Sequence, residues 1–383
     1  MSQPSSNLPE NDLSAFFLAQ GEQTGESVAH LLAEFIAGAT QSLDIAVYDM
    51  RLSESLKEIL ASALRERAKA GVEIRIAYDA DKPETPMLSQ GQDPAPGGTG
   101  QFVQSLGYPW RRIGGLKLMH HKYIVRDANS PRASVWTGST NWTTDSWTLQ
   151  ENNIVQLYSP EVAGYYASDF QQLWVKSNIG NSGSFDTRTV HLTYQGEPAR
   201  VRLLFSPGRG PAIDYEVAQH VAQARERVRI CSMLLNSSAL VSALNDLLNT
   251  DQAPVSGIYD HTQMAGVLYQ WQSVRHNQWK ISAVENIVEE ADLTGKNSRP
   301  YAPDTPHDFM HNKVLVVDDT VITGSYNFSH SAELNAENIL MIESRALADQ
   351  YSAYIDHLLK KYEVNGTNGR TPLQPVPVAP DEE

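Results

Sequence analysis

Two stretches of the chain carry the same polar residues at the same spacing. The first reads His120-His121-Lys122-Tyr123-Ile124-Val125-Arg126-Asp127 and leads to Gly138-Ser139-Thr140-Asn141. The second reads His311-Asn312-Lys313-Val314-Leu315-Val316-Val317-Asp318 and leads to Gly324-Ser325-Tyr326-Asn327. Both follow H-x-K-x4-D and then G-S-x-N, and in both a glutamate, Glu151 or Glu337, stands ten residues past the asparagine. One such histidine motif arises by accident in a chain of this composition with a chance of roughly a few per cent. Two, each with a matching sequel, are not accidental.

The residue types suit attack on a phosphodiester. An imidazole is nucleophilic at neutral pH, and a second one can protonate the departing oxygen. Attack on phosphorus adds charge to equatorial oxygens, which Lys122, Lys313, Asn141 and Asn327 can meet with preorganised charge and N–H donors. Each ring needs its other nitrogen held by an acceptor, and Glu151 and Glu337 are the carboxylates expected there. The β-branched and aromatic residues after each histidine predict a strand. On a strand His120 and Lys122 share a face, as do His311 and Lys313. By the same parity Ser139 projects with Asn141, and Ser325 with Asn327, as support for the phosphate. Asp127 and Asp318 fall on the opposite face, so a structural role is expected for both. His121 points away and is a poor catalytic candidate.

Other reactive residues read more blandly. His307 and His311 form an H-x3-H pair, a spacing that suits metal binding on a helix. Pro303 and Pro306 disfavour a helix there, so no metal and no cofactor is expected. Cys231, the one cysteine, sits in the apolar run Val228-Arg229-Ile230-Cys231 and reads as a small buried hydrophobe.

The surrounding elements also come in two copies. A helical pattern over 26–35 precedes a strand pattern over 42–48, and 215–224 precedes 227–233 in the same way. Helices over 54–69 and 238–249 then lead into strands ending in Tyr-Asp, over 72–79 and 255–260. Each half closes with a strand and a long helix: 153–158 with 160–174, and 338–342 with 346–361. Such alternation predicts an α/β fold, a sheet flanked by helices in each half. The expected boundaries are a flexible N-terminus over 1–15, a first domain over 16–178, a linker over 179–198, a second domain over 199–364 and a disordered tail over 365–383. The Pro- and Gly-rich segment 81–101 reads as a loop over a binding site or as a disordered insertion.

The 383 residues carry a formal charge of −15, with 41% hydrophobic and 20% charged content. This excludes a sequence-independent nucleic-acid coat, whose affinity comes from basic side chains, but not a small basic cleft. No apolar run is long enough to cross a bilayer. The polar start Met1-Ser2-Gln3-Pro4 lacks the features of a secretory signal. That points to a cytoplasmic chain, or to a secreted one from which a signal has been removed.

The paired H-K-D and G-S-x-N motifs resemble the phospholipase D superfamily over roughly residues 26–362. The segments 119–125 and 137–143 are similar to its bacterial nuclease and mitochondrial cardiolipin hydrolase branch, here duplicated in one chain. The resemblance implies two similar lobes, each a central mixed β-sheet with flanking helices, related by a pseudo-twofold axis, with a monomer sufficing. It also implies a metal-independent, two-step reaction through a phosphohistidine. By position it favours His120 as nucleophile and His311 as general acid, then base. The longer turn between Asp127 and Gly138 departs from the family without disturbing the catalytic parity. A phospholipid is favoured as the substrate, on the acidic charge and on Tyr108, Trp110, Trp142, Trp147 and Phe309 near the motifs; transient contact with a membrane surface and transfer to alcohols accompany that reading. The basic run Arg111, Arg112, Lys117, Lys122 and Arg126 fits either a nuclease or an anionic lipid surface. The acidic residues Glu285, Glu289, Glu290 and Asp292 stand against a long nucleic-acid track. A catalytically silent scaffold is the third reading.

Overall fold

A computed structural model describes residues 11–80, 98–302, 305–363 and 372–377. Its first lobe runs β1 (Leu13–Leu18), α1 (Gly25–Ala37), β2 (Ser42–Val47), β3 (Met50–Arg51), α2 (Glu54–Lys69), β4 (Glu73–Asp79), α3 (Thr99–Ser105) and β5 (Trp110–Ile113). It continues through β6 (Lys122–Arg126), β7 (Ser134–Gly138), β8 (Trp142–Thr143), α4 (Thr144–Thr148), β9 (Asn152–Leu157) and α5 (Pro160–Lys176). The second lobe runs β10 (Val190–Tyr194), β11 (Glu197–Ser206), α6 (Gly210–Ala222), β12 (Val228–Ser232), α7 (Ser238–Asn249), β13 (Val255–Asp260), α8 (His261–Gln272) and α9 (Gln278–Glu290). It ends with β14 (Asp292–Lys296), β15 (Lys313–Val317), β16 (Thr320–Gly324), α10 (His330–Leu334), β17 (Glu337–Glu343) and α11 (Arg345–Tyr362).

The sheets repeat one another over seven strands, and the second carries β10 as an additional edge strand. The first is ordered β1-β9-β7-β6-β2-β4-β5 and the second β10-β11-β17-β16-β15-β12-β13-β14. In each, three neighbouring strands run parallel through a helical crossover (β2, β4, β5 and β12, β13, β14), and the rest pair antiparallel. Both sheets are therefore mixed, as the resemblance implied. Beneath one face of each sheet lies a private core, under α1 and α2 in the first lobe and under α6 and α7 in the second. The remaining faces share a core that joins the lobes, in which Tyr166 and Phe170 of α5 and Tyr351 and Tyr354 of α11 are buried.

The lobe junction also holds a polar lattice with the same symmetry. The Tyr166 hydroxyl donates to Asn338 Oδ1 at 2.9 Å, and the Tyr351 hydroxyl to Asn153 Oδ1 at 3.1 Å. Thr137 and Thr323 donate to the same two oxygens across the junction. A buried polar group without a partner costs about 1–3 kcal/mol. This reciprocal pairing therefore fixes one register between the lobes.

Three boundaries differ from expectation. Residues 11–15 are not a flexible lead, because Leu13–Leu18 adds an edge strand beside β9 and buries Leu13. The span 179–198 holds β10, whose Val190, Leu192 and Tyr194 turn inward while His191 and Thr193 stay exposed. A tight turn with Gln195 and Gly196 both at positive φ returns it to β11, the geometry of a two-residue hairpin loop. Within the tail, Leu373 is buried and the Val376 N–H donates to Ala265 O. Residues 1–10, 365–371 and 378–383 lie outside the described residues, as does most of the segment 81–101, of which 99–101 open α3.

Candidate active site

Each motif sits where its lobe meets the other. His120 stands two residues before β6 and His311 two residues before β15, at the ends of these strands that face the junction. The His120 N–H donates to Ala336 O at 2.9 Å and the His311 N–H to Glu151 O at 3.1 Å, so each histidine is anchored by the opposite lobe. Both rings are buried, as are Lys122, Lys313, Asn141, Asn327, Ser139 and Ser325. The Lys122 ammonium donates to His120 O at 2.8 Å, and that of Lys313 to His311 O at 2.9 Å. Lys313 Nζ also stands 3.2 Å from His311 Nε2. Tyr48 packs edge-on against the His120 ring, with Lys122 Nζ 5.1 Å from its own centroid. Two ammonium groups held beside two imidazoles in a buried junction favour an anion there.

Asn327 adds a second pointer. Its side chain is fully buried, and neither Oδ1 nor Nδ2 has a hydrogen-bond partner among the described residues. Folds tolerate such a group where it serves a ligand, and an amide N–H is the donor an equatorial phosphate oxygen needs.

The ring-holding acceptors are where sequence and structure part. His120 Nδ1 lies 2.8 Å from Glu337 Oε2, and both side chains are fully buried. The counterpart for His311 is not Glu151 but the next residue, since His311 Nδ1 lies 2.9 Å from Asn152 Oδ1. Asn152 Oδ1 also accepts from Ser139 Oγ at 2.7 Å, which fixes the amide and puts the proton on Nδ1 of His311. Glu151 turns its carboxylate to Lys296 Nζ, the Tyr362 hydroxyl and the Gln20 N–H. The ladder explains the shift. Ser139 N–H bonds Asn153 O and Ser325 N–H bonds Asn338 O, yet the first pair are fourteen residues apart and the second thirteen. One extra residue in the first lobe, between its G-S-x-N and β9, moves Asn152 into register with Glu337 and Glu151 with Ala336.

The serines and aspartates occupy supporting positions. The Ser139 and Ser325 hydroxyls accept the N–H groups of Asn153 and Asn338 at 3.0 Å. Gly138 and Gly324, at φ of 140° and 144°, pass so close to the next strand that a Cβ would meet Asn153 O or Asn338 O at 2.3 Å; only glycine fits. Asp127 and Asp318, both at positive φ, stand one residue beyond their strands. Asp127 accepts the N–H groups of Thr40, Gln41 and Ser42, and Asp318 those of Arg225, Glu226 and Arg227. Each thereby ties the far end of the histidine strand to the turn entering β2 or β12.

Sequence reasoning missed Asn153 and Asn338. Asn153 Nδ2 donates to Asn312 Oδ1 at 2.9 Å, and Asn338 Nδ2 lies 3.2 Å from His121 Nδ1, so each fixes the residue between a histidine and its lysine. The matching Asn-Ile doublets at 153 and 338 were the available signal. His121 Nε2 in turn lies 3.1 Å from Asp169 Oδ2, on the side away from the site. His307 is stacked between Tyr301 and Phe309, with Nε2 2.9 Å from Ala302 O.

Several substrate cues also land elsewhere. Trp142, Trp147 and Phe309 are core residues. Arg126 points away, donating to Phe35 O and stacking on the Phe35 ring, so the basic run is not one surface. The acidic residues 285–292 lie on α9 and at the start of β14, whose other end carries Lys296 toward the junction. They do not line the site.

Comparison with known proteins gives a consistent picture. Residues 32–174 and 217–359 each match the family model described as "Cardiolipin synthase, PLD-like domain". A phospholipase D of Rickettsia prowazekii (strain Madrid E) is 27% identical over 190 residues, which are 46% of this chain and 77% of that protein. A mitochondrial cardiolipin hydrolase of Chlamydomonas reinhardtii is 27% identical over 141 residues, 37% of this chain and 55% of that protein. Among solved structures, a phosphatidylserine synthase of Haemophilus influenzae Rd KW20 is similar with a TM-score of 0.62 at 14% identity, covering 91% of this chain and 86% of that one. A polyphosphate kinase from Porphyromonas gingivalis gives 0.55 at 10% identity, covering 91% and 47%. At such identities the structural likeness speaks for the fold alone.

Proposed function

The chain belongs to the phospholipase D-like family of phosphodiesterases, and from that premise we propose that it hydrolyses a phospholipid in two steps through a phosphohistidine. The observation that carries the mechanism is the pair of buried imidazoles, each held at Nδ1 by the opposite lobe and each beside a lysine. In the first step His120 Nε2 attacks phosphorus, the bond from phosphorus to the leaving oxygen breaks, and His311 gives that oxygen a proton. In the second, His311 takes a proton from water, which attacks phosphorus and breaks the P–N bond. An alcohol in place of water gives transfer instead of hydrolysis.

The unequal acceptors suit unequal roles. A phosphorylated imidazole becomes cationic, and the Glu337 carboxylate compensates that charge on His120. His311, held by a neutral amide, gives up its proton more readily than a ring paired with a carboxylate. Lys122, Lys313, Asn141 and Asn327 receive the phosphate oxygens, with Lys313 moving from His311 Nε2 to the anion. Ser139, Ser325, Asp127 and Asp318 hold the frame. No step calls for a metal.

A surface patch favours lipid over nucleic acid. Leu116 is 88% exposed, Val175 70% and Trp110 36%. The segments that carry them meet, since the Gly114 N–H bonds Ser177 O at 3.0 Å and Arg111 stacks on Trp174 at 4.7 Å. Exposed Lys117 and Lys176 flank them. Apolar tips among cations fit an anionic bilayer surface. No helix among the described residues is long and apolar enough to cross a membrane. The alternative reading is a metal-independent nuclease, with a silent scaffold behind it.

The test is direct. Turnover of a chromogenic phosphodiester falls at least about 10³-fold in His120→Ala and in His311→Ala; activity that survives both substitutions removes the mechanism. In chelator, phospholipid vesicles with added ethanol yield a phosphatidyl-ethanol product while single-stranded DNA and RNA stay intact. Cleavage of nucleic acid without lipid turnover selects the nuclease instead.

A further inference from the structure

The buried pair Lys296–Glu151 has no part in the mechanism above, yet it touches the frame that holds His311. Glu151 is fully buried, and its Oε2 lies 2.5 Å from Lys296 Nζ, which is 3% exposed. Its Oε1 accepts from the Gln20 N–H at 3.2 Å and from the Tyr362 hydroxyl. Lys296 Nζ also reaches Leu149 O at 3.5 Å and stands 5.3 Å from the Tyr362 ring centroid. These partners come from the segment after β1, from β14 and from α11. They pin one side chain from three directions.

Glu151 and Asn152 together hold His311. The carbonyl of Glu151 accepts the His311 N–H, and its own N–H donates to Phe309 O, a bridge opposite Met310. Asn152 then supplies the acceptor for His311 Nδ1. Fixing the Glu151 side chain therefore fixes both the main chain and the ring of His311.

The other lobe shows that the fold does not need this pair. Ala336 takes the place of Glu151, since its carbonyl accepts the His120 N–H. Ile113 takes the place of Lys296: it pairs with Asp79 as Lys296 pairs with Asp260, and those aspartates accept the N–H groups of Met119 and Met310. An alanine and an isoleucine suffice there. Burying an ion pair is neutral or unfavourable against well-packed apolar residues. Its presence on the His311 side alone calls for a reason specific to that side. The ring acceptor supplies one, because an amide orients an imidazole more weakly than a carboxylate does.

We propose that Lys296 is a positioning residue for His311: through Glu151 it fixes the Glu151-Asn152 segment and keeps the Glu151 charge from acting on the ring. The proposal rests on the phosphodiesterase reading for its kinetic consequence, but not for its structural one. The groups facing Glu151 are Lys296, Tyr362, Tyr354 and Cys231, with Asp260 near Lys296 and Glu22 and Asp308 near Tyr362.

Three variants decide it. In Lys296→Met the uncompensated carboxylate favours the imidazolium, so the His311 ring, followed by nitrogen-15 NMR, titrates at least half a pH unit higher than in the wild type. Its kcat on a chromogenic phosphodiester falls about 10- to 100-fold with KM within threefold, and the alkaline limb of the rate profile moves up with the ring. The neutral pair E151Q/K296M returns the titration to within about 0.2 units and kcat to within about threefold. Should Lys296→Met not fold, Lys296→Arg keeps the charge but displaces it, and kcat falls at least threefold with a shifted limb. An unmoved ring titration and rate profile in the folded variants overturns the proposal. A wild-type protein that turns over no phosphodiester removes the reaction reading, while the NMR arm still decides whether Lys296 governs His311.

Discussion

The two lobes share a strand order, a capping aspartate, a glycine pinched against a neighbouring strand and a lysine beside each histidine. They differ at the acceptor on the ring. Glu337 of the second lobe gives His120 a carboxylate, while Asn152 of the first gives His311 an amide. Beside the amide lies a buried ion pair, and at the matching place beside the carboxylate lie Ala336 and Ile113. Where the lobes agree, the residues build the frame and position an anion. Where they disagree, the histidines are made chemically unlike, and the proposed roles of nucleophile and acid rest on that contrast.

Removing the carboxylate tests that contrast most severely. Glu337→Gln keeps the shape and the acceptor but loses the charge that, in the proposed mechanism, compensates a phosphorylated His120. We expect kcat to fall about 10²- to 10³-fold, roughly 3–4 kcal/mol in barrier, with KM within threefold. Steady-state kinetics with mass detection of the phosphorylated peptide checks it. A variant retaining more than half of the wild-type kcat would deny His120 its dependence on Glu337.

The capping aspartates measure how far the shared frame is equal. Asp127 accepts three backbone N–H groups and the Thr40 hydroxyl and is almost fully buried. Asp318 accepts three N–H groups and is part-exposed. Asp127→Ala is expected to cost about 2–4 kcal/mol of stability and Asp318→Ala about 1–3 kcal/mol, since bonds to a charged acceptor contribute more when buried. Urea midpoints read the difference. An equal loss in both would mean that burial adds nothing here.

A pH effect belongs to the second lobe. Burial pushes the Asp260 carboxyl up to about 6, against hydrogen bonds from Gln263, Ser298 and Met310 that pull it down. The unfolded chain releases that proton near its ordinary pKa of 3.8. Between these values the folded state holds the extra proton. The contribution is full below about pH 4 and is lost as pH rises through about 6. In Asp260→Asn the fall in stability between pH 4 and 6 should flatten by about 1–3 kcal/mol relative to wild type, read from urea midpoints at each pH. Parallel curves would place the proton elsewhere.

Much of this architecture was legible because local rules agreed with the fold. The helices at 54–69 and 238–249 run over the spans expected for them. Strand parity set Asp127 and Asp318 apart from the histidines, yet both stand one residue beyond their strands at positive φ, where that parity no longer applies. The ring acceptor was not legible, because spacing counted from Asn141 and Asn327 assumed equal lengths between motif and strand. The extra residue before β9 breaks that equality, and the ladder bonds to Asn153 and Asn338 reveal it. Nor could sequence separate Trp142 and Trp147, which fill the core, from Trp110, which meets solvent. All three are apolar, and exposure is set by the element each stands on: Trp110 on the edge strand β5, Trp142 and Trp147 on β8 and α4 within the first lobe's own core.

Making the lobes alike is the gentlest test and the most specific. Asn152→Asp puts a carboxylate on His311 while Ser139 Oγ still donates to the same position. A neighbouring anion favours the imidazolium by about 1–3 pK units, and part of that is spent against the buried Glu151 next to it. The alkaline limb of kcat/KM, where the acid loses its proton, should therefore move up by about one unit, with kcat lowered no more than about tenfold. The direction discriminates. If His311 were the nucleophile, the same substitution would hold it protonated and unreactive at neutral pH, and the acid limb would move up instead. An upward shift of the acid limb thus exchanges the roles of the two histidines, and a profile with neither limb moved takes residue 152 out of the reaction.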